Sequence, residues 1–127
     1  MHLTCLVVDD SGAIRKIIRQ MLEKLSFSVV EAADGREAID VCRASQPDII
    51  FLDWNMPVMG GLESLKILRT MPEGQRAKIL FCTTETSTIT ISEAIQAGAD
   101  EYIMKPFDQD IIESKLMEIG IDISQDQ

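Results

Sequence analysis

Basic residues are scarce in this sequence: 12 Lys and Arg stand against 21 Asp and Glu, for a net charge of −9. So acidic a surface repels nucleic-acid backbones and anionic lipid alike. Direct nucleic-acid binding and membrane association are therefore not expected. No apolar run approaches the roughly 18 to 20 residues that a bilayer span needs, and no charged-then-apolar leader opens the sequence. A cytoplasmic location is expected. Cysteine is rare and odd in number, and Cys5, Cys42 and Cys82 form no C-x-x-C pair, which argues against a disulfide framework and a zinc site. They read as buried thiols in a reducing compartment. The single histidine, His2, suggests no role. No G-x-x-x-x-G-K-[ST] loop occurs, so a P-loop nucleotide site is not expected.

What is present fits one globular domain: 127 residues, 46% hydrophobic and 26% charged, with no room for a second. Short apolar runs bounded by turn residues recur at Leu3 to Val8, Ser28 to Ala32, Asp48 to Leu52, Lys78 to Cys82 and Glu101 to Met104, and read as buried strands. Between them lie helical patterns. Ile14, Ile17, Ile18, Met21, Leu22 and Leu25 share one face at i, i+3, i+4 spacing, with Ser11 as the cap. Asp34 to Glu37 resembles a capping box ahead of Ala38, Val41 and Cys42, and Leu62, Leu65 and Leu68 mark a third helix after Gly60-Gly61. Asp108 caps the last helix, whose inner face is Ile111, Ile112, Leu116 and Ile119 and whose end is Gly120. The order is βα repeated five times, which predicts an α/β fold with a parallel sheet, right-handed crossovers and helices on both faces. In the fourth helix, Thr86-Ser87-Thr88-Ile89-Thr90-Ile91 is β-branched and alternating, against helix; only Ser92 to Ala97 has comfortable helical preference. This mismatch marks either a tertiary override or a labile element.

The polar residues that follow the strands carry the chemistry. Asp9 and Asp10 follow the first, Asp53 the third, Thr83 the fourth and Lys105 the fifth. All lie at carboxyl ends, where open α/β sheets build their sites. Three carboxylates brought together repel unless a cation neutralises them. An all-oxygen cluster selects a hard ion, and Mg²⁺ is the usual choice where phosphate is also a ligand. An aspartate can attack a phosphoryl group to form an acyl phosphate, a transfer that needs mainly positioning and charge neutralisation. Mg²⁺, Lys105 and the Thr83 hydroxyl can each hold one phosphoryl oxygen.

These residues resemble those of the receiver domain of two-component response regulators, most closely the single-domain chemotaxis type. The likeness rests on V-V-D-D at Val7 to Asp10, L-D-W-N-M-P-x-M-x-G at Leu52 to Gly61, Thr83, A-G-A at Ala97 to Ala99, and Y-I-M-K-P-F at Tyr102 to Phe107. It runs from about Leu3 to Ile119 and implies a flavodoxin-like (βα)5 receiver fold with strand order 2-1-3-4-5. Residues 1–121 would form the domain and 122–127 a short tail. The resemblance further implies that Asp53 is the phosphoacceptor, that Asp9, Asp10, Asp53 and the Asn55 carbonyl surround Mg²⁺, and that Thr83 and Lys105 contact the phosphoryl group. Tyr102 would be a switching aromatic. Lys105-Pro106 would be a cis peptide, an isomer that X-Pro bonds disfavour by only about 0.5 to 1 kcal/mol.

The expected partners are a histidine kinase or phosphotransfer protein as donor and a protein target on the face of the fourth helix, fifth strand and fifth helix. The chain would be a monomeric, phosphorylation-activated switch, not a turnover enzyme, that assists its own phosphorylation and dephosphorylation. Two departures stand out: position 84 is Thr where receivers usually carry a very small residue, and Ser11-Gly12 loosens the start of the first helix. Among the alternatives are a relay intermediate, a phosphate sink and a haloacid-dehalogenase-like phosphatase. The phosphatase would need a second Asp where Asn55 stands. A flavodoxin-like cofactor binder is suggested only by the hydroxyl-rich run from Thr83 to Thr88.

Overall fold

Alternation within the strands decides the architecture. In the computed structural model, which describes residues 2–84 and 88–123, strands β1 (Thr4–Val8), β2 (Ser28–Ala32), β3 (Ile49–Asp53), β4 (Lys78–Thr83) and β5 (Glu101–Met104) form a parallel sheet in the order β2-β1-β3-β4-β5. Successive side chains point to opposite faces. Leu6, Val8, Ile50, Leu52, Ile79 and Phe81 therefore enter one core, while Cys5, Val7, Ile49, Phe51, Leu80, Cys82 and Ile103 enter the other. β3, central and apolar from Ile49 to Leu52, is buried at every position, as a strand covered on both faces must be.

The helices are α1 (Gly12–Glu23), α2 (Gly35–Ser45), α3 (Gly61–Leu68), α4 (Pro72–Arg76), α5 (Thr88–Gln96) and α6 (Gln109–Glu118). Ile18 and Leu22 of α1, with Ile112 and Leu116 of α6, close one core. Ala38 and Cys42 of α2, Leu65 and Leu68 of α3, and Ala94 of α5 close the other. The expected caps form: Ser11, Asp34 and Asp108 accept from the amides of Ile14, Glu37 and Ile111, each satisfying an otherwise orphan donor. All three cysteines are buried and free.

Three features differ from the sequence expectation, and in one helix the fold overrides local preference as the sequence allowed. A short extra helix, α4, follows α3, so the βα order is not strict; its five residues are too few to show a periodic pattern, and Pro72 and Glu73 at its start and Arg76 at its end are its local signals. The β-branched Thr88-Ile89-Thr90-Ile91 run is helical, although α5 buries only Ala94; Thr86 and Ser87 lie outside the described residues. Ile111, expected on the inner face of α6, is 42% exposed, because Ile112 and Leu116 already fill that core. Ile17 of α1 is also half exposed and borders an apolar groove of about 450 Å³ with Ile14, Met21, Pro106 and Phe107. The Lys105-Pro106 peptide is cis, as expected.

Arg69, just past α3, ties the end of the sheet opposite the carboxyl termini. Its guanidinium donates to the carbonyls of Gly98 (2.9 Å), Gly74 (2.6 Å) and Ala77 (2.8 Å) and to Asp100 Oδ2 (2.8 Å). No helix among the described residues is long and apolar enough to cross a membrane.

Candidate functional site

The reversal of strand order at β1 opens a crevice beyond the carboxyl ends, which is where such sheets bind ligands. Asp9 and Asp10 leave β1 there, and Asp53 is the last residue of β3. One carboxylate oxygen from each lies within 4.8 Å of the others. Thr83, the buried last residue of β4, accepts the Lys105 amide at its carbonyl (2.8 Å), which fixes where the lysine leaves the sheet. Lys105 Nζ then reaches Asp9 Oδ2 at 2.7 Å and Asp53 Oδ1 at 3.0 Å. The expected acid cluster and lysine are thus assembled in one pocket.

The three carboxylates are not equivalent. Asp9 is committed at both oxygens, because Oδ1 accepts from the Ser11 amide at 2.9 Å. Asp53 spends Oδ1 on Lys105. Asp10 is exposed, and among the described residues no hydrogen bond or ion pair engages its carboxylate. Burial pushes the Asp53 carboxyl above its ordinary value; Lys105 opposes that shift, while Asp9 and Asp10 add to it. Burial pulls Lys105 down, but its hydrogen bonds and charge attraction to Asp9 and Asp53 together outweigh burial and hold the ammonium above its usual value. The lysine is therefore a fixed cation at neutral pH.

The loop after β3 folds tightly back on the site. A Cβ at Gly61 would stand 2.5 Å from the Asp53 carbonyl oxygen and 2.8 Å from Trp54 Cα, so only glycine lets α3 start there. The same loop carries the exposed Asn55 and Val58, the latter 77% exposed at a φ of 68°. A β-branched residue rarely adopts that conformation. Trp54 packs on Phe81 with ring centroids 5.4 Å apart, and Phe81 packs on Tyr102 at 6.0 Å. This aromatic row links the residue after Asp53 to the partly buried Tyr102, over whose ring Lys115 Nζ sits at 4.4 Å.

One feature of the site was not anticipated from sequence. Arg15 donates from Nη1 to the Asp9 carbonyl at 2.7 Å and from Nε to Glu31 Oε1 at 2.8 Å. Two signals were available: an acidic residue within an otherwise apolar strand, and a cation near a helix N-terminus, where the macrodipole disfavours it.

This arrangement, on this strand order, defines a class. Residues 5–117 match the response regulator receiver domain, and the chain belongs to that family of phosphoacceptor signalling domains. It is a receiver of two-component signalling similar to the CheY chemotaxis regulators. It is 36% identical to chemotaxis protein CheY-3 of Vibrio cholerae over 93% of this chain and 92% of that protein. The structure of CheY4 from Vibrio cholerae, 35% identical, superposes with a TM-score of 0.89, covering 94% of this chain and 99% of that one. The receiver domain of sensor histidine kinase PA1611 from Pseudomonas aeruginosa, 27% identical, has a TM-score of 0.84 over 94% of this chain and 99% of its own; it holds a magnesium ion in its active-site cleft. Family membership disfavours the phosphatase and flavodoxin-like readings.

Proposed function

We propose that Asp53 accepts a phosphoryl group from a histidine kinase or phosphotransfer protein, with Mg²⁺ bound by Asp9, Asp10, Asp53 and the Asn55 carbonyl, and that a protein target reads the result. The observation that carries this reading is the Lys105 ammonium bridging Asp9 and Asp53 inside a cluster of three carboxylates. An all-oxygen donor set beside a phosphoryl site suits Mg²⁺, which supplies neutralisation of phosphoryl charge.

In the transfer, the Asp53 oxygen not engaged by Lys105 bonds to phosphorus as the donor's P–N bond breaks, and the nitrogen of the leaving imidazole takes up a proton from water. Lys105, already protonated, turns its hydrogen bond from Asp53 to a phosphoryl oxygen, and the Thr83 hydroxyl donates to another. The same groups would assist hydrolysis of the acyl phosphate. Thr83's movement leaves room for Tyr102 to swing inward, reshaping the face of α5, β5 and α6 for a chemotaxis-like output by a cytoplasmic monomer. Residues 1–121 serve as the working domain.

Labelling with a radioactive small acyl phosphate tests the reading. Asp53→Asn is expected to abolish acid-labile incorporation while keeping the native circular dichroism spectrum, because an amide keeps the shape and loses the nucleophile. Undiminished labelling of the variant would exclude Asp53 as the acceptor.

A further inference from the structure

The exposed Asp10 carboxylate has no partner of its own among the described residues, so the backbone between β1 and α1 decides where it stands. Besides the Ser11 amide on Asp9 Oδ1 at 2.9 Å, that backbone is held at two main-chain groups of Asp9. The Asp9 amide donates to the Ala32 carbonyl at 3.1 Å, and the Asp9 carbonyl accepts Arg15 Nη1 at 2.7 Å. The second contact matters more for Asp10. The Asp9 carbonyl and the Asp10 amide belong to one planar unit, so fixing the oxygen fixes the plane from which Asp10 departs.

Arg15 is itself held. Its Nε donates to Glu31 Oε1 at 2.8 Å, with side chains only 20% and 25% exposed, and the other Glu31 oxygen lies 3.3 Å from Arg19. Glu31 pairs with Val7 in the register of β2 on β1, so this latch runs from the edge strand to the acidic turn. We propose that Arg15, oriented by Glu31, is a positioning residue for divalent-cation binding: it sets the peptide plane that presents Asp10. The proposal rests on the reading of the acid cluster as a Mg²⁺ site.

Geometry and charge make opposite demands here, which lets them be separated. As a charge, Arg15 repels a cation in the pocket, so its removal would tighten binding. As a positioning group, its removal loosens Asp10 and weakens binding. Lys keeps the charge, but its single nitrogen cannot stand both where Nε meets Glu31 and where Nη1 meets the Asp9 carbonyl, so it loses the fixed spacing of the planar guanidinium.

The test is Mg²⁺ titration of the full chain, followed by Trp54 emission and by calorimetry, on wild type, Asp10→Ala, Arg15→Lys, Arg15→Met and Glu31→Gln. Both Arg15 variants are expected to raise the Kd about 10-fold, a usual cost of losing a residue that orients a metal ligand, with Glu31→Gln intermediate. The Mg²⁺ concentration for half-maximal labelling by acyl phosphate should rise in step, and the maximal rate at saturating Mg²⁺ should recover; a merely structural role would lower the maximum instead. Arg15→Met binding Mg²⁺ as tightly as wild type, or more tightly, while Asp10→Ala binds weakly would overturn the proposal and leave the site reading intact. No Mg²⁺ binding by wild type would remove the site reading, and the proposal with it.

Discussion

Neutralising Asp53 is expected to stabilise the metal-free protein, although the residue is central to the proposed chemistry. At an effective dielectric constant of about 20, Lys105 at 3.0 Å attracts the Asp53 carboxylate by about 5.5 kcal/mol. Asp9, with a carboxylate oxygen within 4.8 Å, repels it by at least about 3.5 kcal/mol, and the exposed, screened Asp10 adds roughly half as much. Attraction and repulsion nearly cancel, so burial decides the balance, in agreement with the raised Asp53 carboxyl. A buried ion left without net compensation costs more than a neutral amide in its place, and Lys105 keeps Asp9 at 2.7 Å. Asp53→Asn should therefore gain about 1 to 2 kcal/mol, or roughly 4 to 8 °C in Tm for a domain of this size.

Because the folded Asp53 titrates above its ordinary value of 3.8, its share of stability is fully present below that value. It is lost as pH rises through the higher folded one. The gap between variant and wild type should thus open with rising pH and close in acid. Mg²⁺ at about 100 times its Kd adds about 2.7 kcal/mol to wild type and less to the variant, so the order narrows or reverses. Thermal unfolding by circular dichroism in EDTA and in Mg²⁺, at pH 7 and in acid, measures all of this. A variant less stable than wild type in EDTA at pH 7, or one that gains as much from Mg²⁺, would refute the reasoning.

Three further outcomes are expected. Thr83→Ala should still accept a phosphoryl group, more slowly, yet lose most of the phosphorylation-dependent gain in target affinity, and Tyr102→Ala should spare labelling and lose the gain; unchanged hydrogen exchange across residues 84 to 105 with a phosphoryl mimic, together with wild-type target binding by both variants, would end the coupling argument. Arg69→Ala removes four hydrogen bonds at the far end of the sheet and should cost about 3 kcal/mol in urea unfolding while leaving the Mg²⁺ affinity of the folded protein alone. Val58→Gly should raise stability by about 1 kcal/mol by relieving a β-branched residue at a φ of 68°, and a lower unfolding midpoint would count against strain at that position.

Much of this was legible in the sequence because parallel strands buried on both faces are nearly continuous apolar runs. Ser28–Ala32 and Glu101–Met104 fall where the composition places them. β3 extends one residue further, to Asp53, because pairing carries Asp53 alongside Cys82. The acid cluster was legible for the same reason: once strand ends are located, Asp9, Asp10, Asp53 and Lys105 must converge. Other features depend on contacts between segments far apart in sequence. α4 exists because Pro72 to Arg76 packs beside α2 and α3, not because five residues prefer helix. The helical state of Thr88 to Ile91 likewise runs against local preference. Arg15 had no role assigned from the sequence, because Glu31 comes beside it only in the fold.

Helix α5 buries one side chain, Ala94, and exposes Thr88, Ile89, Ser92, Glu93, Ile95 and Gln96. Substitutions at those six positions remove almost nothing from the core, so they can accumulate with little thermodynamic penalty. β3 offers no such latitude, because every residue from Ile49 to Asp53 is buried. If α5 is the output surface as proposed, selection can rewrite what it recognises while Asp53 and its scaffold stay as they are, and duplicated copies of such a domain can diverge in allegiance without first being stabilised.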